Sequence, residues 1–486
     1  MAKKLLDLLD QASGEAIEWH RQLLCRKAVN PEHGGQGEEK KARWIEHWLR
    51  NNGLCEIKRI DSLDTRLPRG LRPNLLARYR PPRSTHMLWI ITHMDTAASG
   101  PLEHWHGDPF SLRIDGDRLY GRGVEDNNQA IVSALLLLDA IKQLAPAHRP
   151  RLGLGLICVS AGLADYTKGL DVILQKYPRV FHHDDLIVVP DYGNPQGALI
   201  EISEKRSMWL RIDVRGDAYH AGYENKANAF DAACHFISQL DPIRQRFAAA
   251  DPHYTPSVST ITATHCETSC TGLNHVAGHF AFYLDIRLMP SCSIPALMAS
   301  LQQLSASIAE TAGVTFDFGC IEVSPDAAPT PQDASIIRHL STMIETELGI
   351  TPRMVGVGGV TMVSVIRALG LPVAVWSIQG GNKIKANESV SLSAQLAQTR
   401  ILGRLLYLRK SQLSPMPGTS PHTREPRLTP AQAAVARLLG EGQSNKQLTT
   451  SLGISENTVR THIKQIYRAT GLHSREELRR LCQTWG

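Results

Sequence analysis

The 486-residue sequence has little cysteine and no long run of uncharged apolar residues. Its nine cysteines include no Cys-x-x-Cys pair, which excludes a disulfide scaffold and favours reduced thiols in a cytoplasmic protein. No uncharged apolar run reaches about 18 residues, so we expect no membrane-spanning helix. Acidic residues interrupt the apolar run at the start of the chain, which is typical of an amphipathic helix and not of a signal peptide.

The composition is that of a folded protein with an uneven distribution of charge. Apolar residues make up 42% and charged residues 21%, which excludes a disordered or collagen-like chain. The length suggests about three domains at roughly 150 residues each. The net charge is +6, and the segment from Arg424 to Gly486 contributes +5 of it through ten Lys/Arg and five Asp/Glu. A basic excess confined to one end predicts contact with nucleic acid there.

The pattern of apolar residues divides the chain into a large body and a small tail. In the body, strand-like runs such as Met87–Thr92 and Leu152–Val159 alternate with helical patterns such as Asn128–Leu144, which predicts an α/β fold. Short alternating runs around one helical stretch predict an α+β insert at residues 208–290. A Pro- and Ser-rich stretch, residues 411–427, is predicted to be a linker. The predicted domains are therefore an α/β domain of residues 1–207 and 291–410, the insert, and an all-α unit of residues 428–486.

The tail has the pattern of a helix-turn-helix. Thr429 and Pro430 can begin a first helix, and a short second helix is predicted at Ser444–Ser451. Gly453 provides the turn before a third helix that Ser455 caps. Apolar residues of this third helix fall on one face, namely Val459, Ile463, Ile466 and Tyr467. Two helices joined by a tight turn, the second basic on its outer face, are typical of DNA-binding units.

The tail also resembles the LuxR-type DNA-binding domain over about 50 residues. The shared stretches are Gly-x-Ser-Asn-Lys, Leu-Gly-Ile-Ser, Thr-Val-Arg-x-His and a closing Ser-Arg. The resemblance implies double-stranded DNA as a partner, usually bound by dimers. It further implies that Arg460, Thr461 and Lys464 face base edges, and that phosphates are held by Lys446, Thr458 and Arg468.

In the body, a histidine and several carboxylates follow predicted strands. His93 and Asp95 would share one face of a strand, because residues i and i+2 point the same way. Asp126 lies in a loop about 30 residues later, and Asp191 ends another apolar strand. Such residues converge readily at the carboxyl edge of an α/β sheet. The His-x-Asp pair alone is a weak signal, for which a surface pair is the better interpretation.

These residues belong to a second resemblance, which covers about residues 10–407. The motifs HMDT, WHGDPF, LYGRGVED, YHAG, the stretch from Asn274 to Arg287, and NESV occur in order. As an ordered set they resemble the di-zinc aminoacylase and carboxypeptidase family, which includes acetylornithine deacetylase, succinyl-diaminopimelate desuccinylase, carnosinase and bacterial glutamate carboxypeptidase. The resemblance implies a metal-binding α/β domain with an inserted lid or dimerisation domain.

The sequence departs from this family at the residues that the hydrolytic reaction needs. His93, Asp126 and Asp191 match metal ligands, and Asp126 matches the carboxylate that bridges two metals. The family expects two consecutive glutamates, a general base and a ligand, where this chain has Leu163 and Ala164. It also expects a histidine at the position of Ile384. None of these three side chains can bind a cation or accept a proton.

The resemblance therefore predicts at most one zinc ion per chain, held by His93, Asp126 and Asp191, and no catalytic residue. Three protein ligands with an open position make a mononuclear zinc site. General-base catalysis is typically worth 10²–10⁴-fold, so its loss would largely stop turnover. A one-residue shift of register leaves an alternative, in which Asp165 serves as the ligand or the base.

The family pattern also assigns residues to ligand binding. His220, Asn274, Arg287, Gly358 and Gly359 match positions that contact the substrate in the family. For His220 the alternative is an ordinary surface histidine, and for Arg287 it is a structural ion pair.

Together these observations predict a cytoplasmic, homodimeric, ligand-responsive transcriptional regulator. Its sensor would be a metallopeptidase-like domain that binds a dipeptide-like or N-acyl amino acid ligand without turnover. The alternatives are an active zinc amidohydrolase tethered to a DNA-binding module, and a body that serves only as a dimerisation scaffold. The sequence does not predict the ligand, the operator, or whether the regulator activates or represses.

Overall fold

A computed structural model of the chain describes residues 2–82, 84–162, 168–223, 227–270, 272–359, 361–413, 435, 436, 438, 439, 443–452, 459, 463 and 466. The chain forms two compact units, Met1–Ser414 and Pro415–Gly486.

The strands of the first unit carry the labels β1–β18. In chain order they are β1 (Glu56–Leu63), β2 (Leu71–Tyr79), β3 (Met87–His93), β4 (Arg113–Asp115), β5 (Arg118–Tyr120), β6 (Gly153–Val159), β7 (Leu186–Asn194), β8 (Leu199–Glu204), β9 (Arg206–Arg215), β10 (Tyr219–His220), β11 (Tyr254–Thr255), β12 (Thr260–Thr268), β13 (His275–Val276), β14 (His279–Leu288), β15 (Thr315–Val323), β16 (Arg353–Val357), β17 (Ala374–Ile378) and β18 (Ser389–Ser391).

The helices of both units carry the labels α1–α13. They are α1 (Lys3–Leu9), α2 (Ser13–Leu24), α3 (Glu39–Asn52), α4 (Gln129–Gln143), α5 (Leu170–Lys176), α6 (Ala229–Ser238), α7 (Asp241–Arg246), α8 (Ile294–Ala312), α9 (Ser335–Leu348), α10 (Val363–Ala368), α11 (Leu392–Leu405), α12 (Lys410–Leu413) and, in the second unit, α13 (Asn445–Leu452).

A nine-stranded sheet forms the body of the first unit. Its order is β1-β2-β6-β3-β7-β17-β8-β16-β11, and the central strands β6, β3, β7 and β17 run parallel. Every residue of β3 and β6 is buried, because helices cover both faces of the sheet. Strands covered in this way are apolar throughout rather than alternating, which confirms the predicted α/β fold and these two strands.

Helices pack on both faces of this sheet. One apolar cluster joins α1, α2, α3, α4, α9 and α11 to one face, and another joins α5 and α10 to the opposite face. Helix α4 is almost wholly buried, since it lies between the sheet and its neighbouring helices. The carboxyl ends of β3 and β7 therefore meet at one edge of a rigid layer.

The insert is a separate α+β unit with its own core. Its antiparallel sheet has the order β12-β14-β9-β15, and α6 and α8 pack against it around Phe236 and Phe282. This unit extends past Pro290, where the sequence pattern places its end. Helix α8 and β15 belong to it because Leu297, Leu301 and Phe316 pack in the same cluster.

The second unit has a small apolar core. Val435, Ala436, Leu439, Leu448, Val459 and Ile466 are buried together, and Ile463 packs against them. The predicted apolar face of the third helix is confirmed for Val459, Ile463 and Ile466, while Tyr467 lies outside the described residues. Helix α13 corresponds to the predicted second helix. Of the predicted linker, residues 411–413 belong to α12 and the rest lies outside the described residues.

Within the described ranges, no helix combines the length and the apolar character needed to cross a membrane.

Candidate metal centre

Three side chains meet at the carboxyl edge of the sheet, as the sequence predicts. His93 ends β3, Asp126 lies in a tight turn before α4, and Asp191 lies in β7. His93 Nε2 is 3.1 Å from Asp126 Oδ1 and 4.0 Å from Asp191 Oδ1. One potential ligand atom from each residue lies within 4.8 Å of the others. One imidazole and two carboxylates at this spacing are a donor set that suits a divalent metal ion.

Neighbouring polar groups fix the orientation of these ligands. His93 Nδ1 lies 3.1 Å from Asp95 Oδ1, so an Nδ1–H that donates to this carboxylate leaves Nε2 free to bind a cation. Asn127 Nδ2 donates to Asp191 Oδ1 at 3.1 Å, and Thr92 Oγ1 donates to Asn127 Oδ1 at 2.8 Å. Hydrogen-bonded support of this kind is characteristic of metal ligands.

A buried ion pair holds the turn that carries Asp126. Glu388 Oε1 accepts hydrogen bonds from the backbone N–H groups of Glu125 and Asp126, each at 3.0 Å. Arg122 Nη1 donates to Glu388 Oε2 at 2.7 Å, and both side chains are buried. The position of Asp126 therefore depends on the ion pair between Arg122 and Glu388, which the sequence did not predict.

The charges of the site favour a positive species between the carboxylates. Burial lowers the pKa of His93, but hydrogen bonds to Asp126 and Asp95 outweigh this effect and raise it well above its usual value. A cation that binds Nε2 must displace that proton, so metal affinity at this site falls as the pH falls.

Lys383 is a fourth charged group at the site. Its ammonium lies 3.6 Å from Asp191 Oδ1 and donates to the backbone carbonyl of Asp191 at 3.1 Å. The carboxylates of Asp191, Asp126 and Glu125 raise the pKa of Lys383, although burial opposes them. In the sequence, Lys383 and Lys385 both precede the NESV motif, and an exposed lysine is the more ordinary interpretation of either.

The position where the family expects a histidine ligand offers no donor here. Ile384 has an exposed aliphatic side chain and a positive φ of 67°, and its carbonyl accepts a hydrogen bond from Arg122 Nη2 at 3.0 Å. Leu163, Ala164 and Asp165 lie outside the described residues. Their predicted consequences for the base and the second metal therefore stay predictions.

Two of the predicted ligand-binding residues come together on the insert. His220 Nε2 and Asn274 Nδ2 lie 3.0 Å apart, where β10 pairs with β13. Arg287 donates to both carboxylate oxygens of Asp285, at 2.8 and 2.7 Å, which is the alternative interpretation of this residue. Gly358 and Gly359 directly follow β16. The roles of all five residues in ligand binding stay predictions.

The predicted DNA contacts fall almost entirely outside the described part of the chain. Lys446 lies in α13. The other five, Thr458, Arg460, Thr461, Lys464 and Arg468, lie outside the described residues.

Comparison with protein families matches both units. Residues 202–312 match the M20 peptidase dimerisation domain, and residues 426–482 match the bacterial regulatory proteins of the luxR family. The first match spans β9 to α8 and so includes the helix that the predicted insert omitted.

Curated proteins match most of the chain. An uncharacterised metallohydrolase of Methanococcus maripaludis is 29% identical over 401 residues, which cover 78% of this chain and 95% of the relative. An uncharacterised metallohydrolase of Methanocaldococcus jannaschii is 28% identical, and the match covers 82% of this chain and 100% of the relative. A succinyl-diaminopimelate desuccinylase of Dinoroseobacter shibae is 23% identical, covering 78% of this chain and 95% of the relative.

Solved structures share the fold of the first unit. A di-peptidase of Saccharomyces cerevisiae matches with a TM-score of 0.65 at 15% identity, covering 85% of this chain and 99% of that one. Human carnosine dipeptidase 1 matches with a TM-score of 0.65 at 14% identity, covering 85% and 98%. The chain thus joins a metallohydrolase-like domain, with the M20 peptidase fold and its dimerisation domain, to a LuxR-family DNA-binding domain.

Proposed function

We propose that the protein is a ligand-responsive transcriptional regulator whose metallohydrolase-like domain holds one zinc ion and senses a small molecule with little or no turnover. The observation that carries the proposal is the combination of Lys383 beside Asp191 with Ile384 at the expected ligand position. An ammonium stands next to the carboxylates, and the neighbouring residue cannot bind a metal.

The ammonium of Lys383 lies beside Asp191, so its charge opposes every cation at this site, and most of all a second one, for which Ile384 offers no donor. Two positive charges about 4 Å apart repel by about 4 kcal/mol at the effective dielectric of a partly buried protein site. A single zinc ion on His93, Asp126 and Asp191 would keep one coordination position open. That position and the lysine together offer two electrophilic partners to a carboxylate or an amide carbonyl.

A cavity elsewhere in the first unit has room for a small molecule. Its volume is about 720 Å³, and its lining includes Ser99, on the segment that follows Asp95, but none of the charged residues of the metal centre. Lys27, Lys40 and Arg69 also line it, together with Glu39, which accepts a hydrogen bond from Arg69. Its size suits a small molecule, and its basic side chains suit an anionic one. These features support an N-acyl amino acid or a dipeptide-like compound as the ligand class.

The signal would pass to DNA through the dimer. The peptidase dimerisation domain suggests an oligomer, and LuxR-type units usually act in pairs. A ligand that binds one arrangement of the dimer better than another shifts the population towards it. We expect this shift to change the spacing of the two DNA-binding units.

The second candidate is an active hydrolase tethered to the same DNA-binding unit. The relatives favour it, because a desuccinylase is covered over 95% of its length. The two candidates differ in metal count and turnover. The number of bound metal ions distinguishes the two candidates without knowledge of the ligand, because Asp126 would hold one metal in a sensor and bridge two in a hydrolase.

The deciding experiment is a zinc titration of the full-length protein and of its Asp126→Asn variant. We expect the substitution to remove one zinc equivalent, and the wild-type protein to leave N-acyl amino acids and dipeptides uncleaved. A thermal-shift screen of the same compounds with zinc should show a rise in Tm that depends on Asp126, since a ligand that binds the folded state stabilises it. Loss of two equivalents together with cleavage by the wild-type protein would establish the hydrolase instead.

The DNA-binding unit leads to a separate prediction. Arg460→Ala should cost on the order of 1–3 kcal/mol of binding free energy and relax the sequence preference, because an arginine at a base edge reads sequence. Lys446→Ala should weaken binding to all sequences alike and reduce the salt dependence, as expected for a phosphate contact. Binding to a panel of DNA sequences at several salt concentrations tests both. An unchanged preference in Arg460→Ala would show that the recognition helix is misplaced.

A further inference from the structure

A second group of potential metal ligands lies at the other end of β3. His86 directly precedes β3, and His182 and Asp184 precede β7. One ligand atom from each of these three residues lies within 4.8 Å of the others. We call these three residues the histidine cluster.

The carboxylate of Asp184 lies among three imidazoles. Its Oδ2 is 3.6 Å from His86 Nε2 and 4.0 Å from His182 Nδ1, a nitrogen that also accepts a hydrogen bond from the backbone N–H of Asp184 at 3.3 Å. Its Oδ1 is 3.1 Å from His183 Nε2. One oxygen therefore faces the two cluster histidines, and the other is engaged by a third histidine. This arrangement resembles that of a metal-binding carboxylate whose second oxygen is held by a hydrogen bond.

The cluster stands on a firmly connected part of the fold. Asp185 Oδ1 accepts from the backbone N–H of Met87 at 2.9 Å. Its Oδ2 accepts from Trp89 Nε1 and from the backbone N–H of His182, each at 2.9 Å. This single side chain thereby joins the start of β3 to the segment before β7. Ligands that are held in place before the metal binds lose less entropy on binding.

The imidazole of His86 is oriented with one nitrogen available. Its ring is buried, and its Nδ1 lies 2.6 Å from Thr85 Oγ1. The other nitrogen, Nε2, faces Asp184. An imidazole whose Nδ1 is engaged presents Nε2 as the ligand atom.

The histidine cluster is separate from the His93 site. The strand between them has seven residues, which span about 20 Å at roughly 3.3 Å per residue. The two sites therefore share no ligand, and each can be emptied without removing a donor from the other.

We propose that His86, His182 and Asp184 form a second site for a divalent first-row transition-metal ion, most suitably zinc. Two imidazoles and one carboxylate, with water in the fourth position, satisfy the tetrahedral preference of zinc. His183 is a positioning residue that orients the carboxylate of Asp184. A bound ion would connect the segments that lead into β3 and β7, the two strands that carry His93 and Asp191.

The test measures zinc binding by full-length protein in the Asp126→Asn background, in which the first site is disabled. We expect the Asp126→Asn protein to bind one zinc equivalent at the histidine cluster. Adding His182→Ala or Asp184→Asn should abolish this binding. His183→Ala should weaken the affinity by about 10-fold, as losses of outer-shell partners commonly do. His47→Ala is the matched control, because its exposed imidazole contacts only Asn51 among the bonds described for it and its removal should leave the equivalent intact.

Two results would overturn the proposal. The first is an Asp126→Asn protein that binds no zinc at micromolar concentrations. The second is a zinc equivalent that persists unchanged in His182→Ala and Asp184→Asn. His182 is exposed, so its substitution tests the site without disturbing the core even if His86→Ala fails to fold. A failure of this proposal can be told apart from a failure of the His93 site. Zinc binding at the His93 site is measured by comparing the wild-type protein with Asp126→Asn, whereas the histidine cluster is tested within the Asp126→Asn background.

Discussion

Arg122→Ala is expected to destabilise the first unit by about 3–5 kcal/mol. Removing one partner of a buried ion pair leaves the other charge without compensation, and Arg122 and Glu388 are both buried with their charged atoms 2.7 Å apart. The guanidinium also donates to the carbonyls of Ser99 and Ile384 and lies over the ring of Trp105. Urea denaturation followed by near-ultraviolet circular dichroism measures the loss.

The matched control is Arg21→Ala, which removes an equally short but exposed ion pair. Arg21 lies 2.5 Å from Glu18 on the surface of α2, with both side chains about half exposed, and such pairs contribute roughly 0–1 kcal/mol. Since Glu388 also holds the backbone of Asp126, Arg122→Ala should in addition weaken zinc binding at the His93 site. Equal urea midpoints for the two variants would show that the buried pair does not stabilise the fold.

Restoring the family residues should restore chemistry. A protein with Leu163→Glu, Ala164→Glu and Ile384→His is expected to bind one more zinc ion than the wild type. It should also hydrolyse N-acyl amino acids 10²–10⁴-fold faster, because a general base contributes about that factor. Initial rates and bound zinc, measured on the same preparations, test both expectations.

Two further variants separate the contributions. Replacing Leu163 with Gln instead of Glu, in the same background, keeps the shape of the side chain but supplies no base, so zinc should bind without the gain in rate. Adding Lys383→Ala to the restored protein should tighten the second zinc, since it removes the neighbouring positive charge. If the wild-type protein already turns over as fast as the restored one, the proposed sensor role is wrong.

Local patterns made much of the fold predictable. Continuous apolar runs identified the buried strands β3 and β6, and the periodic stripe identified the core of the tail. The meeting of His93, Asp126 and Asp191 was predictable because each follows a recognisable strand or motif. These features depend on residues that are close together in the sequence.

The features that were missed join distant segments. Strand β15 alternates between exposed and half-buried residues, so nothing in its sequence linked it to the insert. The Arg122–Glu388 pair spans 266 positions, and the His86–Asp184 pair joins two segments before different strands. Lys383 acquires its partner only when the loop after β17 approaches β7. Such pairs follow from the tertiary arrangement, on which sequence spacing carries no information.

The order of strands in the large sheet has a consequence for synthesis on the ribosome. Strand β17 lies between β7 and β8, although it is translated about 170 residues after them. Until it emerges, the middle of the sheet has a gap, and α11, which covers the same face, is still unmade. The DNA-binding unit comes after both. A nascent chain that displays this unit therefore already contains every strand of the nine-stranded sheet, and a chain that ends before β17 has neither the finished sheet nor the DNA-binding unit.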